Sequence, residues 1–217
     1  MDSRPLQVVC WKWANPTAYR SKFTHEHVNT FYDMVARHYR KPFEVVCITD
    51  NVRNIRREVR TVALWDDHAH VPSPHGGMNP SCYRRLRAFA GEMAHLIGPR
   101  FVSVDLDCVI TGDVTPLWDR SEEFVIWGDV LKSTPYNGSM WMMDAGSRHQ
   151  VWDEFDPIKS PKLTVKAGLL GSDQAWISYV LGSQEATWTA KDGVYAFRTH
   201  IRNKQYQLPK DARIVFF

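Results

Sequence analysis

The residues with the most chemistry in this sequence are Asp105 and Asp107, two carboxylates one residue apart inside the run FVSVDLDCVITGDVTPLWD, residues 101–119. Phe101, Val102 and Val104 precede them and Cys108, Val109 and Ile110 follow, so like charges interrupt an apolar, β-rich run. Alternate residues of a strand share a face, and on one strand both carboxylates would point the same way. Paired hard oxygen donors suit a divalent cation whose shell phosphate oxygens complete. The competing reading ends the strand at residue 104 and leaves two solvated aspartates in a loop. A D-x-D pair alone does not choose between them.

Something must hold that pair in place, and the N-terminal third supplies a frame. LQVVCWKW (residues 6–13) reads as a strand, His25 to Tyr39 as a helix with Val28, Phe31, Tyr32, Val35 and Ala36 at helical spacing, and FEVVCITD (43–50) as a second buried strand. Strand, helix, strand is a βαβ unit, which implies a parallel sheet with ligand loops at the strand C-termini. Lys12, Thr49 and Asp50 then lie at the ligand edge. Arg53, Arg56, Arg57 and Arg60 fall at i, i+3, i+4 and i+7 and would form one basic helical face, solvated or facing a polyanion. TVALWDD (61–67) returns as a short strand. Residues 68–80, with three His, three Pro and two Gly, form a turn-rich loop that reads as a lid and matches no zinc spacing.

Residues 81–98 read as a helix stopped by Gly98 and Pro99, with Arg84, Arg85 and Arg87 crowding its first turns, where they oppose the helix dipole and suit an anionic partner. Beyond the aspartates, FVIWGD (124–129) is an apolar strand ending in Asp129. Asn137-Gly138-Ser139 is a tight loop feeding the strand Met140–Met143, and His149 to Phe155 is a helix. Residues 160–168 read as loop, and residues 169–182 as a helix capped by Ser172 or Asp173 and followed by Gln174. Near the end, Arg198, His200, Arg202 and Lys204 alternate, so a strand would set them on one face, suited to diphosphate or an anionic acceptor.

Composition narrows the class. With 217 residues and 44% apolar content the chain reads as one domain. Nine Trp suit ring stacking as well as core filling, and a formal charge of +3 fits an anionic ligand without requiring nucleic acid. Cys10, Cys47, Cys82 and Cys108 contain no C-x-x-C pair and read as reduced thiols of a cytoplasmic protein. No signal peptide and no apolar run near the length of a membrane span is present.

The D-x-D run with its TPLWD continuation (115–119) resembles the metal-binding segment of GT-A-fold glycosyltransferases, and in particular the retaining glycosyltransferase family 8. Three further elements resemble that family in order: Tyr-x-Arg-Leu at 83–86, the Asn137 loop, and the Asp173-Gln174 pair. The resemblance implies a GT-A α/β fold, with a mixed, mostly parallel central sheet flanked by helices, over residues 1–217. It implies that Asp105 and Asp107 hold Mn2+ or Mg2+ against the diphosphate of a nucleotide sugar, UDP-sugar favoured. Lys12 and Asp50 would serve the nucleobase and ribose, Arg85 the donor, and Asp129 and Asn137 the sugar. Asp173 and Gln174 would flank the anomeric carbon. Two departures stand out. The small residues after Asn137 read Gly-Ser rather than the family's Ala/Ser-Gly. The sequence also ends at Phe217, before a His-Gly-x-x-Lys-Pro segment whose His would be the third metal ligand and whose Lys would meet phosphate. Three readings stay open: the chain is truncated there, His200 and Lys204 substitute for those residues, or metal binding is weakened.

The function expected on these grounds is metal-dependent transfer of a hexosyl or pentosyl group from a nucleotide donor to a hydroxyl acceptor, a glycan or a hydroxymethylated base in DNA, with retention implied by the family alone. Two other classes remain open: a metal-dependent nucleotidyl or phosphoryl transferase, for which a Gly-rich phosphate loop is missing, and a nucleic-acid-binding protein using the Arg53–Arg60 stripe.

Overall fold

In the computed structural model, which describes residues 4–14, 22–75, 81–128 and 130–217, the chain alternates strands and helices in the expected order. Strand β1 (Leu6–Lys12), helix α1 (His25–His38) and strand β2 (Phe43–Thr49) form the βαβ unit, followed by β3 (Arg60–Ala63). Two 3-10 helices, Tyr83–Phe89 and Gly91–His95, lead into β4 (Arg100–Val104) and β5 (Cys108–Ile110). Then come α2 (Thr115–Trp118), β6 (Phe124–Gly128), β7 (Tyr136–Asp144), α3 (Gln150–Asp153), α4 (Ser160–Lys166) and α5 (Asp173–Leu181). Strands β8 (Ala186–Trp188), β9 (Val194–Ala196) and β10 (Ile214–Phe216) complete the chain.

Seven strands form one sheet in the order β3-β2-β1-β4-β7-β6-β8. Pairing is parallel from β3 to β4, antiparallel where β7 joins β4 and β6, and parallel again at β8. A smaller sheet, β5-β10-β9, lies beside it. The apolar runs of the strands have a simple cause: both faces of the large sheet are covered. Val8, Cys10, Val45, Cys47, Val102, Val104, Met140 and Met142 pack on one side with Val28, Phe31 and Val35 of α1. Their alternates Val9, Trp11, Val46, Ile48, Phe101, Trp141 and Met143 pack on the other with Leu86, Phe89, Met93 and Trp176. Helix α1 starts where Thr24 caps it, the Thr24 hydroxyl accepting from the Glu26 amide at 3.2 Å while His27 Nδ1 accepts from the Thr24 amide at 3.1 Å.

Several expected elements differ. Residues 81–98 are not one α-helix. Tyr83, Leu86 and Phe89 are buried at intervals of three, the 3-10 period, and Ala90 is extended (ψ 140°), breaking the run before Gly91. Residues 51–59 form turns, so Arg53, Arg56, Arg57 and Arg60 share no helical face. Arg56 instead pairs with Asp33 at 2.5 Å and Glu58 at 3.0 Å, and Arg60 with Glu44 at 2.8 Å. Residues 198–204 are a π turn and a 3-10 turn, not a strand, so Arg198, His200, Arg202 and Lys204 do not share one strand face. Residues 160–166 are helical rather than loop, because Pro161 sits in the first turn, where its missing N–H is harmless, and Asp156 caps the Ile158 and Lys159 amides at 2.8 Å. In the loop after β3, His68 packs against Trp152 and Phe155 at 5.0 and 4.6 Å between ring centroids, and the lid expected over 68–80 extends into 76–80, outside the described residues. No helix among the described residues is long and apolar enough to cross a membrane.

Candidate active site

Strand β4 ends at Val104, and Asp105 and Asp107 lie in the turn between β4 and β5. They are therefore not strand neighbours on one face, yet neither is a solvated loop aspartate. The Asp105 amide donates to the Ser139 carbonyl at 2.8 Å, extending the β4–β7 ladder by one rung, and its side chain is only 25% exposed. Leu106 between the two is buried, and the Phe217 amide donates to the Asp107 carbonyl at 3.0 Å. The turn is held on both sides by neighbouring strands.

Arg85 closes the site from below. The 3-10 period that buries Leu86 also turns Arg85 inward, where it is 5% exposed. Its Nε donates to Asp173 Oδ2 at 2.7 Å, its Nη2 lies 2.5 Å from the same oxygen, and its Nη1 pairs with Asp105. Burial pulls against the guanidinium charge, but the Asp105 and Asp173 carboxylates outweigh it and raise its pKa above the ordinary range. Asp173, 4% exposed at the first turn of α5, is pushed up by burial against the pull of Arg85. The Ser172 hydroxyl does not cap α5. It accepts from the Cys82 amide at 2.9 Å and ties the start of α5 to the Arg85 segment.

Strand β7 passes over this knot with an irregularity. Its pairing with β6 jumps from Trp141 opposite Ile126 to Asn137 opposite Trp127, so residues 138–140 bulge away from β6. Asn137 Oδ1 accepts from the Ser139 amide at 2.9 Å and stabilises the bulge. A Cβ at Gly138 would lie 3.0 Å from Arg85 Nη2 and 3.2 Å from Asp173 Oδ2, which gives the Gly-Ser order a physical reason: the first position faces the ion pair. Gln174 follows Asp173. Its Nε2 donates to the Leu170 carbonyl at 2.9 Å, and its Oε1 faces the Gly138 amide at 3.4 Å.

Asp107 carries the electrostatic tension. Burial and the adjacent Asp105 carboxylate push its carboxyl up to about 7, against smaller pulls from its own backbone amide, Arg85 and Arg198. Two carboxylate groups in one partly buried turn, of which Arg85 pairs with Asp105 only, fit a bound cation that would relieve their repulsion. Among the described residues no group of three His, Cys, Asp or Glu side chains gathers as a metal cage, so these two would leave most of a cation's shell to other oxygens. His200 accepts from the Ala196 amide through Nδ1 at 2.9 Å and joins Asp105 and Asp107 in no such group, while Lys204 is exposed on the 3-10 turn Arg202–Lys204.

Lys12 ends β1 and Asp50 directly follows β2, as their strands require. They line a cavity of about 660 Å³ together with Trp13, Lys22, His25 and Arg53. Asp50 Oδ2 accepts from the Ala14 amide at 2.8 Å. Because β1 pairs with β4, this cavity opens one strand away from Asp105. The sequence singled out Asp105, Asp107, Arg85, Asp173, Gln174 and Asn137, and the fold brings them together around the β4–β5 turn. Asp129 lies outside the described residues. The contributions of Gly138 and Ser172 were not anticipated; the Gly-Ser inversion was the one available signal for the former.

No protein-family profile matches the chain, and no curated protein matches it in sequence. Solved structures do. The galactosyltransferase LgtC, in complex with donor and acceptor sugar analogues, superposes with a TM-score of 0.61 over 98% of this chain and 87% of that one, at 12% identity. GlyE, a glycosyltransferase of Streptococcus pneumoniae TIGR4, gives 0.60 over 97% of this chain and 54% of its own, also at 12% identity. The bifunctional glycosyltransferase WbbM gives 0.56 over 100% of this chain and 46% of its own. What is shared at this identity is the fold, a GT-A architecture with the mixed, mostly parallel sheet described above.

Proposed function

We propose that this protein transfers a sugar from a nucleotide-diphosphate donor, UDP-sugar favoured, to a hydroxyl acceptor, with a divalent cation and with retention of configuration. The observation that carries the reading is the Asp105–Arg85–Asp173 knot at the β4–β5 turn, with Asp107 and Gln174 beside it and a polar cavity one strand away. The fold shared with LgtC, GlyE and WbbM supports it.

In this reading Lys12 and Asp50 bind the nucleoside at the ends of β1 and β2. Asp105 and Asp107 would hold Mn2+ or Mg2+, which supplies positive charge against the diphosphate as it leaves. Arg85 acts through Asp105 and Asp173 rather than on the donor directly, since its guanidinium is occupied by both. Asp173 and Asn137 orient sugar hydroxyls, and the Gln174 carboxamide oxygen faces an anomeric centre that becomes electron-poor. The acceptor is a glycan or a hydroxymethylated DNA base. The engagement of Arg56 and Arg60 by Asp33, Glu58 and Glu44 weakens the nucleic-acid side of that choice.

Calorimetric titration of UDP and then GDP, with and without Mn2+, on the wild type and on Asp107→Ala tests the proposal. The expected result is micromolar, Mn2+-dependent UDP binding that the variant loses. A folded wild type that binds neither nucleotide in the presence of Mn2+ contradicts it.

A further inference from the structure

Gln174 sits between two glycines, and both contacts depend on a missing side chain. Gly171 has φ +99°, and a Cβ there would lie 2.5 Å from Gln174 Cγ, 2.8 Å from Cδ and 2.8 Å from Nε2. Nothing else is that close, so a side chain at 171 would displace the Gln174 arm, not the backbone. Gly138 stands on the other side. Its amide faces Gln174 Oε1, and a Cβ there would press on Arg85 Nη2 at 3.0 Å and Asp173 Oδ2 at 3.2 Å. Those two groups are buried and bound to each other, so they have little room to give. A third glycine offers a control. Gly168 also has positive φ (+74°), in the same stretch between α4 and α5, but a Cβ there would meet nothing within 4 Å.

We propose that Gly171 and Gly138 are positioning residues: they form a cradle that fixes the Gln174 carboxamide and seats the Arg85–Asp173 pair. The inference rests on the sugar-transfer reading for its consequence in catalysis, but the cradle itself is a statement about the Gln174 and Arg85 side chains. It predicts that substitution at either glycine acts through the neighbour it displaces. A residue whose role is only to permit a turn would act on stability and add to every other change.

The experiment compares Gly171→Ala, Gly138→Ala, Gly168→Ala, Gln174→Ala and the double variant Gly171→Ala/Gln174→Ala. The readouts are Mn2+-dependent hydrolysis of UDP-galactose and UDP-glucose, UDP affinity, thermal midpoint and the side-chain NMR signals of Gln174 and of Arg85 Nε. The expected outcome is a fall in kcat of about tenfold or more in Gly171→Ala and Gly138→Ala with UDP affinity unchanged. Gly168→Ala should lower the midpoint and leave kcat alone, and the double variant should be no slower than Gln174→Ala. In the NMR spectra, with the Gln174 carboxamide pair assigned by its loss in Gln174→Ala and the Arg85 Nε–H by its loss in Arg85→Lys, the former should move in Gly171→Ala and the latter should shift in Gly138→Ala. Unmoved signals overturn the cradle whether or not the protein hydrolyses a nucleotide sugar. Additive loss in the double variant overturns it equally. Moved signals in a protein that neither binds UDP nor hydrolyses a donor would sustain the cradle and sink the sugar-transfer reading instead.

Discussion

The buried knot of Arg85, Asp105 and Asp173 and the open cavity at Lys12 and Asp50 lie one strand apart and are built on opposite principles. In the knot Arg85 and Asp173 are almost fully removed from water, Asp105 is partly buried, and the three satisfy one another, so geometry is set before any ligand arrives. In the cavity Asp50 is exposed and accepts from the Ala14 amide, and the lining mixes charged residues such as Lys12, Lys22 and Arg53 with aromatic and amide ones such as Trp13, Phe23 and Asn51. A rigid, preorganised centre beside an adaptable recognition edge is the division that transfer chemistry needs: the reacting atoms demand fixed dipoles, whereas a nucleoside can be gripped by side chains that settle around it.

Breaking the knot should have the largest effect. Arg85→Met leaves Asp173 buried without its partner, a loss of about 3–5 kcal/mol. Thermal unfolding should show a midpoint lower by roughly 10 °C. The double variant Arg85→Met/Asp173→Leu should recover part of that, because the uncompensated charge is gone. A single variant as stable as the wild type would show that the knot is not a structural unit.

Asp107, beside the knot in the β4–β5 turn, gives the next largest effect, and its sign follows from linkage. Its carboxyl is raised to about 7 in the folded protein, above its ordinary value near 4, so the folded state holds the proton longer than the unfolded one. Stability therefore falls as pH rises from about 4 to about 7. Asp107→Asn should remove this dependence and stabilise the protein by about 2 kcal/mol at neutral pH, with no gain near pH 4. Added Mn2+ should raise the midpoint of the wild type at neutral pH and leave the variant unmoved. Urea titrations across this pH range supply the check.

The cavity should respond in affinity rather than stability. Asp50→Ala should weaken UDP binding about tenfold, equivalent to 1.4 kcal/mol. It should lower folding stability by no more than about 1 kcal/mol, since its bond to Ala14 is at the surface. Smallest of all is Arg57→Glu, outside both regions and exposed. Its melting point should stay within about one degree and its UDP affinity unchanged. Loss of affinity for a DNA duplex in that variant would restore the basic stripe as a binding face.

Much of the frame was legible locally. The βαβ unit, the apolar strands and the helix from His25 are written in the period of neighbouring residues, and neighbours alone determine which face each side chain takes. The order of Asp105, Asp107, Asn137, Asp173 and Gln174 was equally plain. The misread stretches share a cause. In 81–98 an apolar spacing compatible with both 3-10 and α periods was resolved by what the chain packs against. In 51–60 arginines at helical spacing found acids on α1 and β2 instead of forming a stripe.

The sequence by itself determined the α/β frame and the residues able to do chemistry, because alternation, helical spacing and residue type act over a few positions. Only the tertiary structure decided which of them meet. Arg85 reaches Asp173 across 88 residues, and Gly138 matters because β7 bulges over that pair. Such contacts form only after long loops close, and what selects them is the burial of charge, which cannot be evaluated until the surrounding walls are in place.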